Sequence, residues 1–316
     1  MKIVILDRKT LGVDINLNRI EKNHEVISFD TTQKEQTSER IKDAEIVITN
    51  KALVCAGDME LADKLKLICV AATGYNNIDI PAARKLGIVV ANVKGYSSDS
   101  VAQLVFGYLL EYFNSIRKVA NEIEQGLWQK SDTFIMLNNR FSNLAGKKIG
   151  IIGYGKIGKT VERIAKGFGM EVLICESFIE KNNKPDRIGF QDLLKNSDII
   201  SLHCPLTETT KNLISAKEFS LMKPTAVLIN TARGGIVNEN DLYNALKNNQ
   251  IAFAGVDVLT TEPPTNGNIL FDAPNCMITP HIAWASEESR IKLVEGIENN
   301  ISKFIEGRGN EIDLCV

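Results

Sequence analysis

The amino-acid sequence predicts an α/β protein with two domains, each formed around a parallel sheet. Short apolar runs rich in β-branched residues recur along the chain, and segments of helical period separate them, which is the pattern of strands buried between two layers of helices. The chain has 316 residues, and at roughly 150 residues per domain this length indicates about two domains.

The first series of apolar runs predicts the sheet of the first domain. The run at the N-terminus is too short to be the core of a secretory signal peptide, so we interpret it as a strand. The runs of this series cover residues 2–6, 25–29, 45–49, 66–70 and 87–91.

A second series of runs predicts the second sheet, at residues 147–153, 171–175, 198–202, 226–230 and 253–258. Between the two series, apolar residues from 100 to 120 keep the i, i+3, i+4, i+7 spacing of one continuous helical face. Ser100 and Gln103 fit a capping box at its start. No linker rich in Pro, Gly or Ser separates the halves, so we expect the domain boundary at this long helix.

Composition and charge exclude several classes of partner. Lys and Arg number 37 and Asp and Glu number 39, a net charge of -2, so no electrostatic surplus favours nucleic acid or an anionic membrane. The longest apolar stretch, residues 101–116, contains Gln103, Glu111 and Asn114 and is shorter than the roughly 20 apolar residues of a membrane span. We expect neither nucleic acid nor a membrane as a partner.

The six cysteines indicate a reducing environment. They are widely scattered, with no C-x-x-C pair and no histidine at zinc-finger spacing beside them. The sequence therefore predicts free thiols, no metal site and a cytoplasmic location.

A glycine-rich turn predicts a dinucleotide site. Gly153, Gly155 and Gly158 form G-x-G-x-x-G between a predicted strand and a predicted helix. The first glycine permits a tight turn, the second lets backbone amides approach a pyrophosphate, and the third lets the helix pack on the strand. A merely tight strand-to-helix turn is the alternative interpretation.

Glu176 predicts the choice between the two nicotinamide dinucleotides. It lies at the end of the next strand, where such folds place the carboxylate that accepts hydrogen bonds from the adenosine ribose. A carboxylate repels a 2′-phosphate, and neither Ser177 nor Phe178 adds a positive charge. We therefore expect NAD as the cofactor, in preference to NADP.

Three ionisable residues follow apolar strands further along the chain, namely Arg233, Glu262 and His281. Open α/β sheets bind ligands at the carboxyl ends of their strands. Each residue also has a structural interpretation: a surface ion pair for Arg233, a turn before proline for Glu262 and a core histidine for His281. His203 also ends a strand, and we interpret it as structural.

The order of these motifs resembles the D-isomer-specific 2-hydroxyacid dehydrogenase family. The glycine turn is followed by TARGG around Arg233, by Glu262 before two prolines, and by TPH at 279–281. The resemblance covers nearly the whole chain, through segments 70–79, 92–103, 144–158, 203–210, 229–235, 255–258 and 273–286.

This resemblance implies a domain arrangement. Residues 98–282 correspond to the family's NAD-binding Rossmann domain, and residues 1–97 with 283–316 correspond to a discontinuous, flavodoxin-like substrate domain. In the family, the active-site cleft lies between the two domains, and most members are homodimers, partly through the long helix.

The resemblance also assigns cofactor contacts residue by residue. It places Lys156 and Ile157 over the pyrophosphate, and Pro205 and Thr210 beside the adenosine. The residues implied near the nicotinamide are Thr231, Ala232, Arg233 and Asp257.

The predicted chemistry is the reduction of a 2-keto acid. His281 is the expected proton donor to the carbonyl oxygen, because a neighbouring carboxylate, Glu262, stabilises its imidazolium. Arg233 matches a substrate carboxylate with its planar fork. The backbone amides of Thr73 and Gly74 are expected to complete the carboxylate site.

The residues HIAWAS at 281–286 are similar to those of bacterial glycerate dehydrogenases, also called hydroxypyruvate reductases, with Trp284 as a wall of the pocket. The predicted reaction is therefore hydroxypyruvate to D-glycerate, or glyoxylate to glycolate. One alternative is a D-lactate dehydrogenase or a broad 2-keto acid reductase. An alternative of another class is an NADH-sensing binding protein, like the transcriptional corepressors that share this fold.

Overall fold

The structure is a computed structural model that describes residues 1–139, 141–178, 186–309, 312 and 314–315. It divides into two compact units, Met1–Ser97 with Ala285–Val316, and Ser98–Trp284. The sequence-based boundaries fall after residues 97 and 282, so the second boundary lies two residues further along in the structure.

The first unit contains a five-stranded sheet in the order β2-β1-β3-β4-β5, and every neighbouring pair is parallel. The inner strands are buried on both faces, as their continuous apolar sequences require. The strands are β1 (Lys2–Ile5), β2 (Glu25–Ser28), β3 (Ile46–Thr49), β4 (Leu67–Val70) and β5 (Val89–Ala91). Short helices connect them: α1 (Asn18–Asn23), α2 (Thr37–Ile41), α3 (Ala56–Glu60) and α4 (Ile80–Lys85).

The second unit contains a six-stranded parallel sheet in the order β11-β10-β9-β8-β6-β7. Its helices are α5 (Ser98–Asn114), α6 (Ile116–Glu124), α7 (Lys156–Gly167), α8 (Phe190–Asn196), α9 (Ala216–Phe219) and α10 (Glu239–Lys247). Its strands are β6 (Lys148–Ile152), β7 (Glu171–Ile174), β8 (Ile199–Leu202), β9 (Val227–Asn230), β10 (Phe253–Val256) and β11 (Cys276–Ile278). The chain then returns to the first unit as α11 (Glu287–Ile305).

The strand order of the second sheet determines where a ligand can bind. From β6 the chain passes to β7 on one side and then crosses to β8 on the other, so the order reverses between β6 and β8. In open parallel sheets the crevice for a ligand forms at the carboxyl ends of the strands at such a reversal. The predicted α/β class with two parallel sheets is confirmed.

The prediction of one continuous helix over residues 100–120 is wrong. Ser115 adopts a left-handed conformation with φ of 52°, so α5 ends at Asn114 and α6 begins at Ile116. The apolar spacing continues through this break, which is why periodicity did not show it. The predicted cap is also wrong, because the helix begins at Ser98 and the Ser100 hydroxyl donates to the carbonyl of Ala283 at 2.6 Å.

Apolar side chains cover both faces of the second sheet. One cluster includes Phe219 and Leu228, and another includes Tyr108 and Ile229. Full burial of such side chains contributes roughly 1.5–3 kcal/mol each relative to exposure, so the sheet is a rigid platform for the loops at its edge. Over the described residues, we find no helix with the length and apolar character needed to traverse a bilayer.

Candidate active site

The glycine-rich turn follows β6 at the reversal point of the second sheet. Gly153 has φ of 94°, and a Cβ atom there would lie 2.4 Å from the Cys204 nitrogen. A Cβ atom on Gly158 would lie 2.4 Å from the Gly153 carbonyl oxygen, whereas one on Gly155 would meet no atom within 4 Å. Protein contacts therefore explain the first and third glycines, and the space at Gly155 is what a close-lying pyrophosphate needs.

The helix after the turn is oriented for an anion. Gly155 is the N-cap of α7, whose first residues are Lys156 and Ile157, and Lys156 is exposed. The first amides of a helix have no partner within the helix and carry a partial positive charge. The residues present therefore fit a dinucleotide phosphate.

Glu176 follows β7, next to β6 in the sheet, and it is exposed. A cation that the sequence analysis missed lies beside it in the fold. The Arg187 guanidinium donates to the Cys175 carbonyl at 3.1 Å and lies 4.5 Å from the ring centroid of Tyr154, which is part of the glycine-rich turn. Arg187 comes 11 positions after Glu176 in the sequence, so no local pattern indicated it.

The segment after β8 contains Pro205, which is exposed, and Thr210, which is 1% exposed. The Thr210 hydroxyl donates to the Pro205 carbonyl at 2.6 Å and accepts from the Thr207 amide at 2.8 Å. Thr210 therefore shapes the loop on which Pro205 lies.

His203, at the start of this segment, is half-buried. Its Nε2 atom is 2.8 Å from the Ser201 hydroxyl, and its buried Nδ1 atom has no partner in the part of the chain that the structure describes. Burial lowers the pKa of His203 to about 4, so its ring is neutral at neutral pH. These surroundings suit the structural interpretation.

Arg233 lies in the turn after β9, directly after Thr231 and Ala232, which are largely buried. Its guanidinium Nη1 atom donates to the Ala232 carbonyl at 2.7 Å. A Cβ atom on Gly234 would lie 1.9 Å from the Leu259 carbonyl oxygen, so the turn packs directly on the segment that leads to Glu262.

Glu262 and His281 form a pair, although 19 residues separate them in the sequence. The Nδ1 atom of His281 is 2.6 Å from one carboxylate oxygen of Glu262, and the Leu259 amide donates to the other at 2.9 Å. The two side chains are 21% and 29% exposed, so both reach solvent. With Nδ1 held by the carboxylate, Nε2 is the ring nitrogen that remains for proton transfer.

Asp257 fixes the segment that carries His281. Its carboxylate accepts from the Thr279 hydroxyl at 2.5 Å and from the amides of Ile282 and Ala283, both at 2.9 Å. Its carbonyl accepts from the His281 amide at 2.8 Å. This support holds His281 in a left-handed conformation with φ of 56°, which is uncommon outside glycine.

The support continues into the core. The Tyr108 and Thr279 hydroxyls are 2.5 Å apart, and since Thr279 donates to Asp257, Tyr108 donates to Thr279. Burial raises the pKa of both Tyr108 and Asp257, while the Thr279 hydroxyl and the loop amides act in the opposite direction on Asp257. Sequence reasoning missed Tyr108 and Thr279, although TPH at 279–281 placed a hydroxyl two residues before the histidine.

The remaining predicted residues lie elsewhere. Thr73 and Gly74 follow β4 in the first unit, where the Thr73 hydroxyl donates to the Val93 carbonyl at 3.1 Å and the Asn92 side chain donates to the Thr73 carbonyl at 2.5 Å. Trp284 is the last residue of the second unit and is partly buried. The second unit therefore brings together Arg233, Glu262, His281 and the glycine turn at one sheet edge, without Thr73 and Gly74.

Comparison with known proteins adds an independent result. Residues 106–283 match the family described as D-isomer specific 2-hydroxyacid dehydrogenase, NAD binding domain. A glycerate dehydrogenase of Methylorubrum extorquens is 39% identical over 314 residues, covering 98% of each chain. A hydroxypyruvate reductase of Blautia hydrogenotrophica is 36% identical, covering 97% of this chain and 98% of that protein. A solved acyclic imino acid reductase, in complex with NADPH and D-Arg, has a TM-score of 0.85 at 31% identity over 100% of both chains.

Proposed function

Because the chain belongs to the D-isomer specific 2-hydroxyacid dehydrogenase family, we propose that it reduces hydroxypyruvate to D-glycerate with NADH. We propose glyoxylate, a smaller keto acid, as an alternative substrate that is reduced to glycolate. The observation that carries it is the 2.6 Å pair between His281 and Glu262 at the edge of a sheet that also bears the glycine-rich turn. The names of the two relatives, at 39% and 36% identity, support the choice of substrate.

In this proposal His281 is the acid. NADH, when bound, supplies a hydride for the carbonyl carbon of the keto acid. Nε2 of His281 donates a proton to the carbonyl oxygen, and Glu262 holds Nδ1 and stabilises the positive ring before that transfer. In the oxidative direction the same nitrogen accepts the proton.

Arg233 is the substrate-binding residue. Its guanidinium presents paired N–H donors that match a carboxylate, and the same charge polarises the adjacent carbonyl. The backbone amides of Thr73 and Gly74 are further donors to the carboxylate, and the Trp284 ring is a wall that excludes water.

The dinucleotide binds along the edge of the second sheet. The amides at Lys156 and Ile157 face the pyrophosphate, Pro205 and Thr210 border the adenosine, and Glu176 accepts from the ribose hydroxyls. Thr231, Ala232, Arg233 and Asp257 border the nicotinamide. We expect NADH to be preferred over NADPH, because the Glu176 carboxylate repels a 2′-phosphate.

The test is the rate of NADH oxidation with hydroxypyruvate, glyoxylate, pyruvate and 2-ketoglutarate, repeated with NADPH. We expect the highest kcat/KM for hydroxypyruvate with NADH, and a Glu176→Gln variant to narrow the difference between the two dinucleotides. Equal or higher kcat/KM for pyruvate would instead favour a lactate dehydrogenase or a broad reductase. Binding of NADH without turnover of any keto acid would favour an NADH-sensing protein.

We also infer that the chain forms a homodimer, through α6 and the segment that follows it. Helix α6 buries none of its side chains. Large apolar side chains continue along this segment, and 37% to 88% of their surface is exposed: Ile116, Ile123, Leu127, Trp128, Phe134, Ile135, Leu137 and Phe141. Monomers rarely expose so many large apolar side chains along one segment, and the same segment in a second copy of the chain can cover them.

The dimer is tested by sedimentation at micromolar concentration. The wild-type chain is expected to sediment as a dimer, at twice the chain mass of 35.0 kDa. A Trp128→Glu/Phe141→Glu double variant is expected to sediment as a monomer. Leu61→Glu is the control, because Leu61 is 65% exposed but lies in the first unit. A wild-type monomer under these conditions contradicts the proposal.

The proposed location is the cytoplasm. Four cysteines are free thiols whose pKa values are raised by burial, which keeps them unreactive: Cys69, Cys175, Cys204 and Cys276. Localisation of a tagged chain by cell fractionation is the direct measurement.

A further inference from the structure

Asn230, the last residue of β9, is 2% exposed and has no role in the chemistry described above. Both ends of its side-chain amide bond to the turn that follows. The oxygen accepts from the Ala232 amide at 3.1 Å, and the nitrogen donates to the Arg233 carbonyl at 3.1 Å. An amide is the side-chain group that supplies an acceptor and a donor together in this way.

The main chain of Asn230 is also fixed by hydrogen bonds and strand pairing. Its carbonyl accepts from the Asp257 amide at 2.9 Å, and it pairs in register with Val256 of β10 and Leu202 of β8. Asn230 therefore connects a fixed point in the sheet to the backbone of Arg233. Since a buried amide that loses its partners is costly, the turn has little freedom to depart from this geometry.

We propose that Asn230 is a positioning residue for Arg233. It fixes the backbone on both sides of Arg233, so that the guanidinium is preorganised for the substrate carboxylate. This inference rests on the proposed function, in which Arg233 binds that carboxylate. The packing of Gly234 against the Leu259 carbonyl gives the turn a second support.

The first experiment measures Asn230→Ala. This variant is expected to raise KM for the keto acid about tenfold or more. The reason is that a shift of the Arg233 guanidinium by roughly a few tenths of an ångström weakens its bidentate contact with the substrate carboxylate. The Kd for NADH is expected to stay within about twofold, measured by fluorescence titration. Asn230→Asp, which keeps the acceptor for Ala232 and loses the donor to Arg233, is expected to show the same direction of change and serves if the alanine variant does not fold.

Asn238→Ala is the matched control. Asn238 caps α10 in the same unit, and its side chain accepts from the Asp241 amide at 3.1 Å. Its loss is expected to lower the thermal midpoint about as much as the loss of Asn230, without raising KM. If Asn230→Ala lowers the midpoint and leaves KM unchanged, Asn230 is only structural and the inference is wrong.

A double variant separates this inference from the proposed function. If Asn230 acts through Arg233, then Asn230→Ala adds less than about twofold to the loss of kcat/KM already caused by Arg233→Ala. If the loss of kcat/KM in the double variant equals the product of the losses in the two single variants, the inference is wrong. If Arg233→Ala alone keeps wild-type kcat/KM, the proposed role of Arg233 has failed instead.

Discussion

His203 and His281 follow two strands of the same parallel sheet, yet their surroundings differ in each respect that matters for proton transfer. His203, after β8, bonds to a serine hydroxyl, and burial lowers its pKa to about 4. His281, after β11, is partly exposed and bonds to a carboxylate at 2.6 Å. The backbone at His281 is left-handed and is held in that shape by Asp257.

Position at a strand end therefore does not by itself decide which groups surround a histidine ring. A neutral ring packed against a hydroxyl has no proton to give at neutral pH. In the proposed function, Glu262 holds Nδ1 of His281 and leaves Nε2 to transfer the proton. Four measurements test whether the two histidines differ in this way.

The largest expected effect is the loss of turnover in His281→Ala. Removal of a general acid lowers kcat by about 10²–10⁴-fold, while the NADH site is untouched and its Kd is expected to be unchanged. His203→Gln is the matched control, since glutamine can keep the bond to Ser201, and its kcat is expected to remain within about threefold of wild type. Wild-type turnover in His281→Ala refutes the assignment of the acid.

The next effect is on stability and concerns His203. Between pH 6.5 and about 4, the unfolded chain binds a proton at this residue and the folded chain does not, so the free energy of unfolding falls as the pH is lowered. This contribution is fully present above pH 6.5 and is lost as the pH falls towards 4. Urea midpoints at pH 7 and pH 5 measure it, and His203→Gln is expected to show a smaller drop than wild type. An equal drop in both proteins contradicts the lowered pKa of His203.

A smaller effect is expected for Glu262→Gln. Glutamine retains an acceptor for Nδ1 of His281 but loses the negative charge, and a charge-assisted hydrogen bond is about twice as strong as a neutral one. The expected loss is about tenfold in kcat, or on the order of 1.4 kcal/mol. The same substitution at Glu239, which accepts from Thr260 and Asn268, controls for loss of a loop carboxylate. If Glu262→Gln matches wild type, the charge of Glu262 has no part in the reaction.

The smallest effect is expected for Tyr108→Phe. The variant removes the hydroxyl that donates to Thr279, but Thr279 still donates to Asp257, so the His281 segment keeps its direct support. We expect a loss of about 1 kcal/mol in the free energy of unfolding and roughly a threefold fall in kcat. Tyr112→Phe on the same helix is the control. A fall in kcat as large as that of His281→Ala would mean that the support from the core is part of the proton-transfer chemistry.

Much of the fold was predictable, because strands buried between helices must be apolar along their whole length. The runs around Ile3, Ile48 and Ile68 in the first sheet, and around Ile151 and Leu228 in the second, each became an inner strand. The break at Ser115 was not predictable in this way, because the residues on both sides keep the helical spacing. The hydroxyl of Ser100 was misassigned because a capping pattern is local, whereas its partner is the distant carbonyl of Ala283.

The sequence by itself determined the family, the parallel sheets, the glycine-rich turn and the identity of Arg233, Glu262 and His281 as strand-end residues. Short stretches of sequence are enough to predict these features, since each feature depends on residues that are neighbours along the chain. Which of these residues touch depends on how the chain packs in three dimensions. Strand order and register in the sheet bring His281 to Glu262 and place Asp257 and Tyr108 where they support the His281 segment. They also place Asn230 where it bonds to the backbone of Arg233. Strand order and register are set by the packing of the whole unit, so no local pattern contains them.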